Sequence, residues 1–382
     1  MKLNIKELKE LTSKLSLAVE KSKLNPKSGW IELETFNKGL NFKVSSYDYY
    51  LESTITFENE VSSEDAFHVT ILAETFIPLI SKLDAEEITV YEKLNSLIIE
   101  TDLSSYTFPI IKELGETKSV DVIDFEPTDD KVIELNGDDV ASIATVNVKG
   151  LVNAVFAKEI QQFIYVDNKG ALTFTENMYV NEFANTYSDE FKFLLNITQA
   201  KLLEIFSGEN KVKLQFEHKP AYGDQPTLTT KLCLSTDKIK LVLIAQNQDF
   251  TEKFPAVKLR LLSENEEHTH VVLNKKLLDR ALARLMVFDK KFDITVLDYS
   301  KLVFKQDYLE LVSIKNKNSE KIPYTSSQNV VEHESIIRFA DLINQLKAVT
   351  SEDLDISYGS RPAIVINSNI KQIIPEIVVK RV

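Results

Sequence analysis

The pattern of apolar and polar positions repeats three times along the chain. Residues 67–91, 191–216 and 335–358 each read as a short strand, an amphipathic helix, a polar turn and a second strand. In each copy leucine or isoleucine recurs at helical spacing, and the residues after the turn alternate between apolar and polar. Such units are common singly, but three copies spaced along one chain predict three domains of one kind.

The remaining residues of each third predict a second helix and further alternating strands. The six predicted helices span residues 2–23, 73–83, 140–158, 198–206, 274–291 and 336–347. Two polar stretches, 112–130 and 246–258, have the composition of linkers. We therefore predict an α+β protein with similar domains at residues 1–125, 126–255 and 256–382, each with two helices backed by antiparallel sheets.

Composition fits a soluble protein of several domains. The chain has 382 residues, of which 43% are hydrophobic and 27% are charged. No apolar run approaches the length of a membrane span, and the charged N-terminal helix lacks the core of a signal peptide. We therefore expect a cytoplasmic protein that does not contact membranes.

The sequence shows no constellation of catalytic or metal-binding residues. A single cysteine, Cys233, excludes an internal disulfide and a thiolate cluster. No Gly-rich phosphate loop, HExxH motif or nucleophile elbow occurs. His268 and His270 are typical of a surface pair, and the acidic pairs at 129–130 and 353–355 fall in turns and strand starts. We predict no enzymatic activity, no cofactor and no metal, with a metal-dependent nuclease as the weaker alternative.

Charge is unevenly distributed between the predicted elements. The formal net charge is −13, yet the six helical windows contain 18 Lys plus Arg against 8 Asp plus Glu, so the remaining residues carry −23. A solvated helix face usually balances both signs. If the six helices line one surface, that surface is positive on an otherwise acidic protein and would attract phosphates.

Several segments occur in an order and spacing that match a known family. They are the opening LKELTSKLSLAV helix, the strands WIELET and LNFKVSSYDYYLEST, the segments SSYTFPII and GALTFTENMYVNEFA, and the C-terminal IVVKRV. With the threefold unit, they make the chain resemble the bacterial sliding clamp, the DNA polymerase III beta subunit, over essentially its whole length.

The resemblance implies a ring-shaped homodimer that encircles double-stranded DNA without reading its sequence. Such a ring tethers DNA polymerase and other replication factors for processivity, as an accessory subunit without catalysis. Basic side chains on the helices would then face the DNA. These are Lys9, Lys14, Lys21, Lys23, Lys82, Lys149, Lys158, Lys201, Lys276, Arg280, Arg284, Arg338 and Lys347.

The resemblance also implies a groove between the second and third domains, where the polymerase and the clamp loader bind through short peptide motifs. Matched residue by residue, the groove comprises Ile160, Thr175, Met178, Tyr179, Val180, Phe292, Ser360, Pro362, Val378, Val379 and Val382. The family's Asp-Gly-His-Arg is replaced by residues 176–179 here, and its Met-Pro-Met-Arg-Leu ending by 378–382. These departures favour a divergent clamp, such as one of phage or plasmid origin.

For ring closure, the resemblance implies that Tyr106 and Phe108 face Met286 and Val287 of the neighbouring subunit. The alternative from another class is a non-enzymatic structural or adaptor protein built from three β-rich modules. In that case the basic helix faces have no role, and reversing their charge leaves function unchanged.

Overall fold

A computed structural model of the chain describes residues 1–20, 24–148, 159–174, 178–219, 228–246, 248–263, 269–289, 300–315, 317–347, 349–359, 362–368 and 371–376. The chain divides into two compact units. Unit 1 comprises Met1–Ala141 and Lys201–Gln248, and unit 2 comprises Ser142–Ala200 and Asp249–Val382. Among the described residues, no helix has the length and apolar character needed to span a membrane.

The helices, in chain order, are α1 (Ile5–Ser16), α2 (Ala73–Lys82), α3 (Gly137–Ser142), α4 (Ile197–Leu202), α5 (Gln248–Lys253), α6 (Ala256–Ser263), α7 (Lys275–Asp289) and α8 (Phe339–Leu346). A π-helical turn, Ile143–Asn147, continues α3, and a 3-10 turn, Leu203–Phe206, continues α4. The start of α1 is fixed by Asn4, whose Oδ1 accepts hydrogen bonds from the backbone N–H groups of Lys6 and Glu7.

The strands of the first third and its following segment are β1 (Lys2–Asn4), β2 (Trp30–Phe36), β3 (Gly39–Ser45), β4 (Tyr49–Thr56), β5 (His68–Leu72), β6 (Glu87–Lys93), β7 (Ser96–Glu100), β8 (Ser105–Pro109), β9 (Lys112–Glu113) and β10 (Glu116–Thr117). Those of the second third are β11 (Ile133–Leu135), β12 (Ile164–Asp167), β13 (Gly170–Phe174), β14 (Met178–Glu182), β15 (Lys192–Leu195), β16 (Val212–Lys219), β17 (Leu228–Ser235) and β18 (Ile239–Ile244).

The strands of the last third are β19 (Thr269–Asn274), β20 (Ser300–Phe304), β21 (Tyr308–Ser313), β22 (Ser319–Pro323), β23 (Ser326–Gln328), β24 (His333–Ile337), β25 (Asp353–Tyr358), β26 (Ala363–Asn367) and β27 (Lys371–Pro375). All strand pairs recorded among the described residues are antiparallel, as expected for the α+β class.

Unit 1 is built on an eight-stranded sheet in the order β11-β16-β17-β18-β4-β3-β2-β5. Strands from the first third of the chain therefore pair directly with strands from the second third, at β4 and β18, where Leu51 lies opposite Leu241. We call this pairing join 1. A four-stranded sheet, β1-β6-β7-β8, completes the main framework of unit 1.

Unit 2 is built on a nine-stranded sheet in the order β15-β12-β13-β14-β27-β26-β25-β19-β23, with a four-stranded sheet, β22-β21-β20-β24. Strands of the second and third thirds pair at β14 and β27, where Tyr179 lies opposite Gln372. We call this pairing join 2. The main core cluster of unit 2 includes Leu278 and Leu282 of α7 and Leu342 of α8.

The predicted threefold unit is confirmed. Its copies are β5–α2–β6, β15–α4–β16 and β24–α8–β25, in which the segment between the two strands is helical each time. Five of the six predicted helices coincide with a helix of the structure. Of the predicted helix 140–158, residues 140–148 are helical and the remainder lies outside the described residues. The predicted boundaries at 125 and 255 differ from the division into two units, because the large sheet of each unit contains strands from two thirds.

Both linker predictions are wrong. Residues 246–258 contribute to α5 and α6, and residues 112–130 contain the hairpin β9–β10 and a segment, 118–128, that packs on one face of the eight-stranded sheet. We call residues 118–128 the strap. Polar side chains dominate both stretches, but each contributes an apolar side chain to a core: Val120 in the strap and Phe254 before α6 are 3% and 6% exposed. The polar composition of these stretches therefore did not predict that they pack against the sheets.

Candidate functional site

The outer face of join 2 is apolar and is covered by α6. Met178 and Val180 of β14 pack with Ile373 of β27, and Phe254 and Leu259 pack on them from the α6 side. The ring of Phe254 also stacks on Tyr165, with centroids 4.9 Å apart. This layer is the part of the predicted peptide groove that the described residues show.

Two apolar side chains of α6 remain exposed above this layer. Val257 is 75% exposed and Leu261 is 48% exposed, and their spacing of four residues places them on one face of the helix. We call this pair the ledge. Arg260 holds α6 in place, since its Nη2 lies 2.7 Å from Asp167 Oδ1 at the end of β12. Sequence reasoning missed the ledge because it took this segment for a linker, although FPAVKLRLL shows a proline start and apolar residues at helical spacing.

The predicted groove residues have different placements. Met178 and Val180 lie beneath α6, at 9% and 1% exposure. Tyr179 points to the opposite face of the sheet, where it packs on Val146, because successive side chains of a strand alternate. The side chain of Tyr179 therefore does not line the same face as Met178 and Val180, and its prediction as a groove residue is corrected. Pro362 is exposed.

For the other residues predicted to line the groove, the structure describes no side chain. Ile160 lies in a 3-10 turn, Glu159–Gln162, and its side chain is not described. The residues wholly outside the described ranges are Thr175, Phe292, Ser360, Val378, Val379 and Val382.

Most of the described basic residues predicted to face DNA lie on or next to helices that pack in pairs, α1 with α2 and α7 with α8. Lys201 lies on α4. Six of them are exposed: Lys82, Lys201, Lys276, Arg280, Arg284 and Lys347. Three more are half-buried: Lys9, Lys14 and Arg338. Lys21, Lys23, Lys149 and Lys158 lie outside the described residues.

Lys14 and Arg284 form ion pairs with carboxylates. Lys14 Nζ lies 2.9 Å from Glu209 Oε1. Arg284 donates two hydrogen bonds to the two oxygens of Glu320, at 2.7 and 2.8 Å. The Arg284 guanidinium lowers the pKa of the Glu320 carboxyl below its usual value. Glu320 is therefore charged at neutral pH, and its charge opposes that of Arg284.

The predicted subunit interface falls on β8, which contains Tyr106 and Phe108, and on α7, which contains Met286 and Val287. β8 is the last strand of its four-stranded sheet in unit 1, and β22 is the last strand of the four-stranded sheet in unit 2. On α7, Val287 is 62% exposed and Phe288 is 53% exposed, while Met286 packs partly against the core of unit 2. Phe288 belongs to the candidate interface, although sequence reasoning did not name it.

Phe108 requires a correction. Its side chain is 6% exposed, and its ring meets Phe76 edge to face with centroids 5.7 Å apart. A partner could not contact this ring without displacing the core of unit 1. Tyr106 lies two residues before Phe108 and therefore on the same face of β8, but it is only half-buried. Of the residues predicted for the interface, Phe108 is therefore inaccessible to a partner, while Tyr106, Met286 and Val287 stay predictions.

Comparisons with known proteins were made at the level of sequence and of structure. No protein-family model and no curated protein sequence matches the chain. The structure is similar to the beta subunit from DNA polymerase of Streptococcus pyogenes, with 16% identity, a TM-score of 0.72 and coverage of 99% of both chains. It is also similar to DNA polymerase III beta subunit from Thermotoga maritima, with 14% identity, a TM-score of 0.71 and coverage of 99% of both chains.

A further similar structure is a sliding clamp, DNA polymerase III subunit beta, from Pseudomonas aeruginosa, bound to griselimycin. It shares 11% identity with this chain at a TM-score of 0.69, with coverage of 99% of both chains. At these identities the likeness shows the fold, and it extends over nearly the whole length of each chain. The chain therefore has the fold of the DNA polymerase III beta subunits, the bacterial sliding clamps.

Proposed function

We propose that the protein is a divergent DNA sliding clamp, an accessory subunit without catalytic activity that acts in the cytoplasm. Two copies close into a ring around duplex DNA and tether DNA polymerase for processivity. The observation that carries the proposal is the match to several clamp structures over 99% of this chain. The excess of positive charge in the predicted helices, on a chain of net charge −13, supports a ring whose inner surface attracts phosphates.

The ring requires head-to-tail closure. β8 in unit 1 and β22 in unit 2 each have five residues, and an unpaired edge strand is a template for pairing with another chain. Exposed Val287 and Phe288 on α7 supply apolar surface beside this edge, since α7 packs on β22. We infer that β8 of one subunit pairs with β22 of the next. The division into domains at 1–125, 126–255 and 256–382 then gives six domains in the ring.

Polymerase and clamp loader bind at join 2 through short peptides with apolar anchors. The ledge, Val257 and Leu261, is exposed next to the apolar layer on β14 and β27. Buried apolar anchors contribute most of the affinity at interfaces of this kind. A peptide seated there would cover the ledge and extend toward Pro362, which is exposed.

The first test is the solution mass of the purified chain by light scattering, followed by retention on circular DNA after loading. We expect a dimer that stays on closed circles and is released when the circle is cut. Val287→Glu with Phe288→Glu should give a folded monomer, because two charges enter the closed interface. Phe108→Glu is unsuitable for this purpose, since it would unfold unit 1.

A control is Val331→Glu, which introduces one of these two charges at a valine of 64% exposure outside α7 and β22. This variant should remain a dimer. A wild-type monomer at micromolar concentration, or a trimer, would contradict the proposed ring.

A further inference from the structure

We propose that Glu209 and Glu320 attenuate the contact between the helices and DNA, by each neutralising one basic residue that would otherwise bind a phosphate. The inference rests on the proposed clamp function. It assigns to two acidic residues the role of setting how strongly the ring holds DNA.

Glu209 is held in position by its backbone. It lies in the turn after Leu203–Phe206, where its N–H donates to the carbonyl of Phe206 at 3.1 Å and its carbonyl accepts from the N–H of Gly137 at 2.9 Å. Its side chain is 32% exposed and that of Lys14 is 22% exposed, so the pair is partly shielded from water. Because the N–H and the carbonyl of Glu209 are both hydrogen-bonded, its carboxylate stays beside Lys14, which lies in the last turn of α1.

Glu320 is fixed in a different way. It lies in β22, opposite Leu311 of β21, and its side chain is 27% exposed. Both of its oxygens accept hydrogen bonds from Arg284. A bidentate pair of this kind fixes the plane of the guanidinium and occupies the donors that would otherwise reach a phosphate.

Some other basic residues on the same helices lack such partners. Among the residues that the structure describes, no carboxylate forms an ion pair with Lys9 of α1 or Arg280 of α7, whereas Lys275 at the start of α7 pairs with Asp279 at 2.7 Å. α1 and α7 therefore each carry both paired and unpaired cations. A phosphate that approaches a paired cation meets almost no net charge, whereas an unpaired cation can displace a counterion from DNA. A clamp must slide, so fewer strong phosphate contacts suit its task.

The experiment measures binding of a short duplex DNA to the full-length protein as a function of salt concentration. The variants are Glu209→Gln, Glu320→Gln and the two together. Each new phosphate contact should steepen the slope of log K against log salt by about 0.9, and should tighten binding at low salt by roughly fivefold to fifteenfold. Adding Lys14→Gln to Glu209→Gln should abolish the gain of that variant.

Matched controls are Glu113→Gln and Glu332→Gln. Glu113 pairs with Lys118 at 2.8 Å and Glu332 pairs with Lys305 at 3.0 Å, and none of these four residues lies on a helix. These controls change the net charge by the same amount, so they measure the general effect of charge. Equal slopes for test and control variants would overturn the inference.

Two further measurements separate the explanations. If Glu209 and Glu320 serve only to hold the fold, their variants lose thermal stability without binding DNA more tightly, and the inference is wrong. If the wild-type protein is retained on circular DNA but the slopes are equal, only this inference fails. If the wild-type protein and all variants neither bind duplex nor remain on circles, the clamp function and the inference both fail.

Discussion

The outer faces of the two joins are closed in different ways. At join 1 the strap crosses the sheet, and the N–H groups of Val120 and Glu126 donate to the carboxylates of Glu32 and Glu217 at 2.8 and 3.0 Å. At join 2 a helix, α6, covers the sheet and leaves its ledge exposed. Join 1 is thus covered by a segment that is hydrogen-bonded to buried carboxylates and leaves Val122 exposed, whereas the helix that covers join 2 leaves two apolar side chains exposed on one face.

The opposite faces of the two joins differ as well. At join 1 the cross-strand row contains Leu51 and Leu241, at 1% and 0% exposure. At join 2 the corresponding row contains Tyr179 and Gln372, which are equally buried. Gln372 Nε2 donates to the carbonyl of Gln345 at 2.8 Å, but among the described residues its Oε1 has no hydrogen-bond partner.

This difference indicates what each join is built for. A buried polar atom without a partner costs about 1–3 kcal/mol, so the row at join 2 lowers stability where an apolar row would raise it. Chains depart from local packing rules mainly where function requires it. Join 1 therefore fits a structural role, and join 2 is the better candidate for a binding site.

The largest effect should come from Leu241→Ala at join 1. The side chain is completely buried, and its truncation should lower the free energy of unfolding of unit 1 by about 2–5 kcal/mol. Trp30, the only tryptophan in the chain, lies in β2 of unit 1, so its fluorescence during urea denaturation reports this unit. Gln372→Ala at join 2 should lower the free energy of unfolding by clearly less than Leu241→Ala does. Urea denaturation of this variant can be followed by circular dichroism. Equal losses would remove the energetic contrast between the joins.

The next effect concerns the strap. Glu32 is 3% exposed and its carboxylate also accepts from Lys43 Nζ at 3.2 Å, so Glu32→Gln should cost about 1–3 kcal/mol. The backbone amide of Val120 should then exchange its hydrogen faster. Glu34→Gln is the control, because Glu34 lies on the same strand and also pairs with Lys43 but is 42% exposed. An unchanged exchange rate at Val120 would show that the strap does not depend on this bond.

The sequence predicted the helices and the repeat well because both are local signals. Leu8, Leu11 and Leu15 are buried in α1, as their helical spacing required. The pairing of β4 with β18 was not predictable, since Leu51 and Leu241 are distant in the chain and nothing local specifies their register. Phe108 and Tyr179 show the same limit: each has the residue type of an interface, yet long-range packing buries it.

The hydrogen bond from the Glu126 N–H to the Glu217 carboxylate, which anchors the strap, should make the stability of unit 1 depend on pH in the acid range. Burial raises the pKa of the Glu217 carboxyl. Hydrogen bonds from the Glu126 N–H, Lys231 and Thr230 lower it by more than burial raises it, so the pKa lies below its usual value. A carboxyl with a lowered pKa stabilises the fold above its unfolded pKa, and this contribution is lost as pH falls through the folded value. Urea denaturation followed by Trp30 fluorescence, from about pH 5 to about pH 3, should therefore show a smaller pH dependence in Glu217→Gln than in wild type. Identical pH profiles of wild type and Glu217→Gln would show that this hydrogen bond adds no stability.

The smallest effect on stability should come from the ledge. Val257→Ser with Leu261→Ser replaces exposed side chains, so each change should alter the free energy of unfolding by less than about 0.5 kcal/mol. The same variant should bind a synthetic peptide with Leu and Phe anchors at least tenfold more weakly than wild type, measured by calorimetry, because it removes apolar surface from the proposed site. Leu259→Ala is the matched control on α6: Leu259 is 2% exposed, so it should lose stability instead. If the ledge variant kept full affinity for the peptide, the exposed surface at join 2 would need another explanation, and the contrast between the joins would reduce to packing.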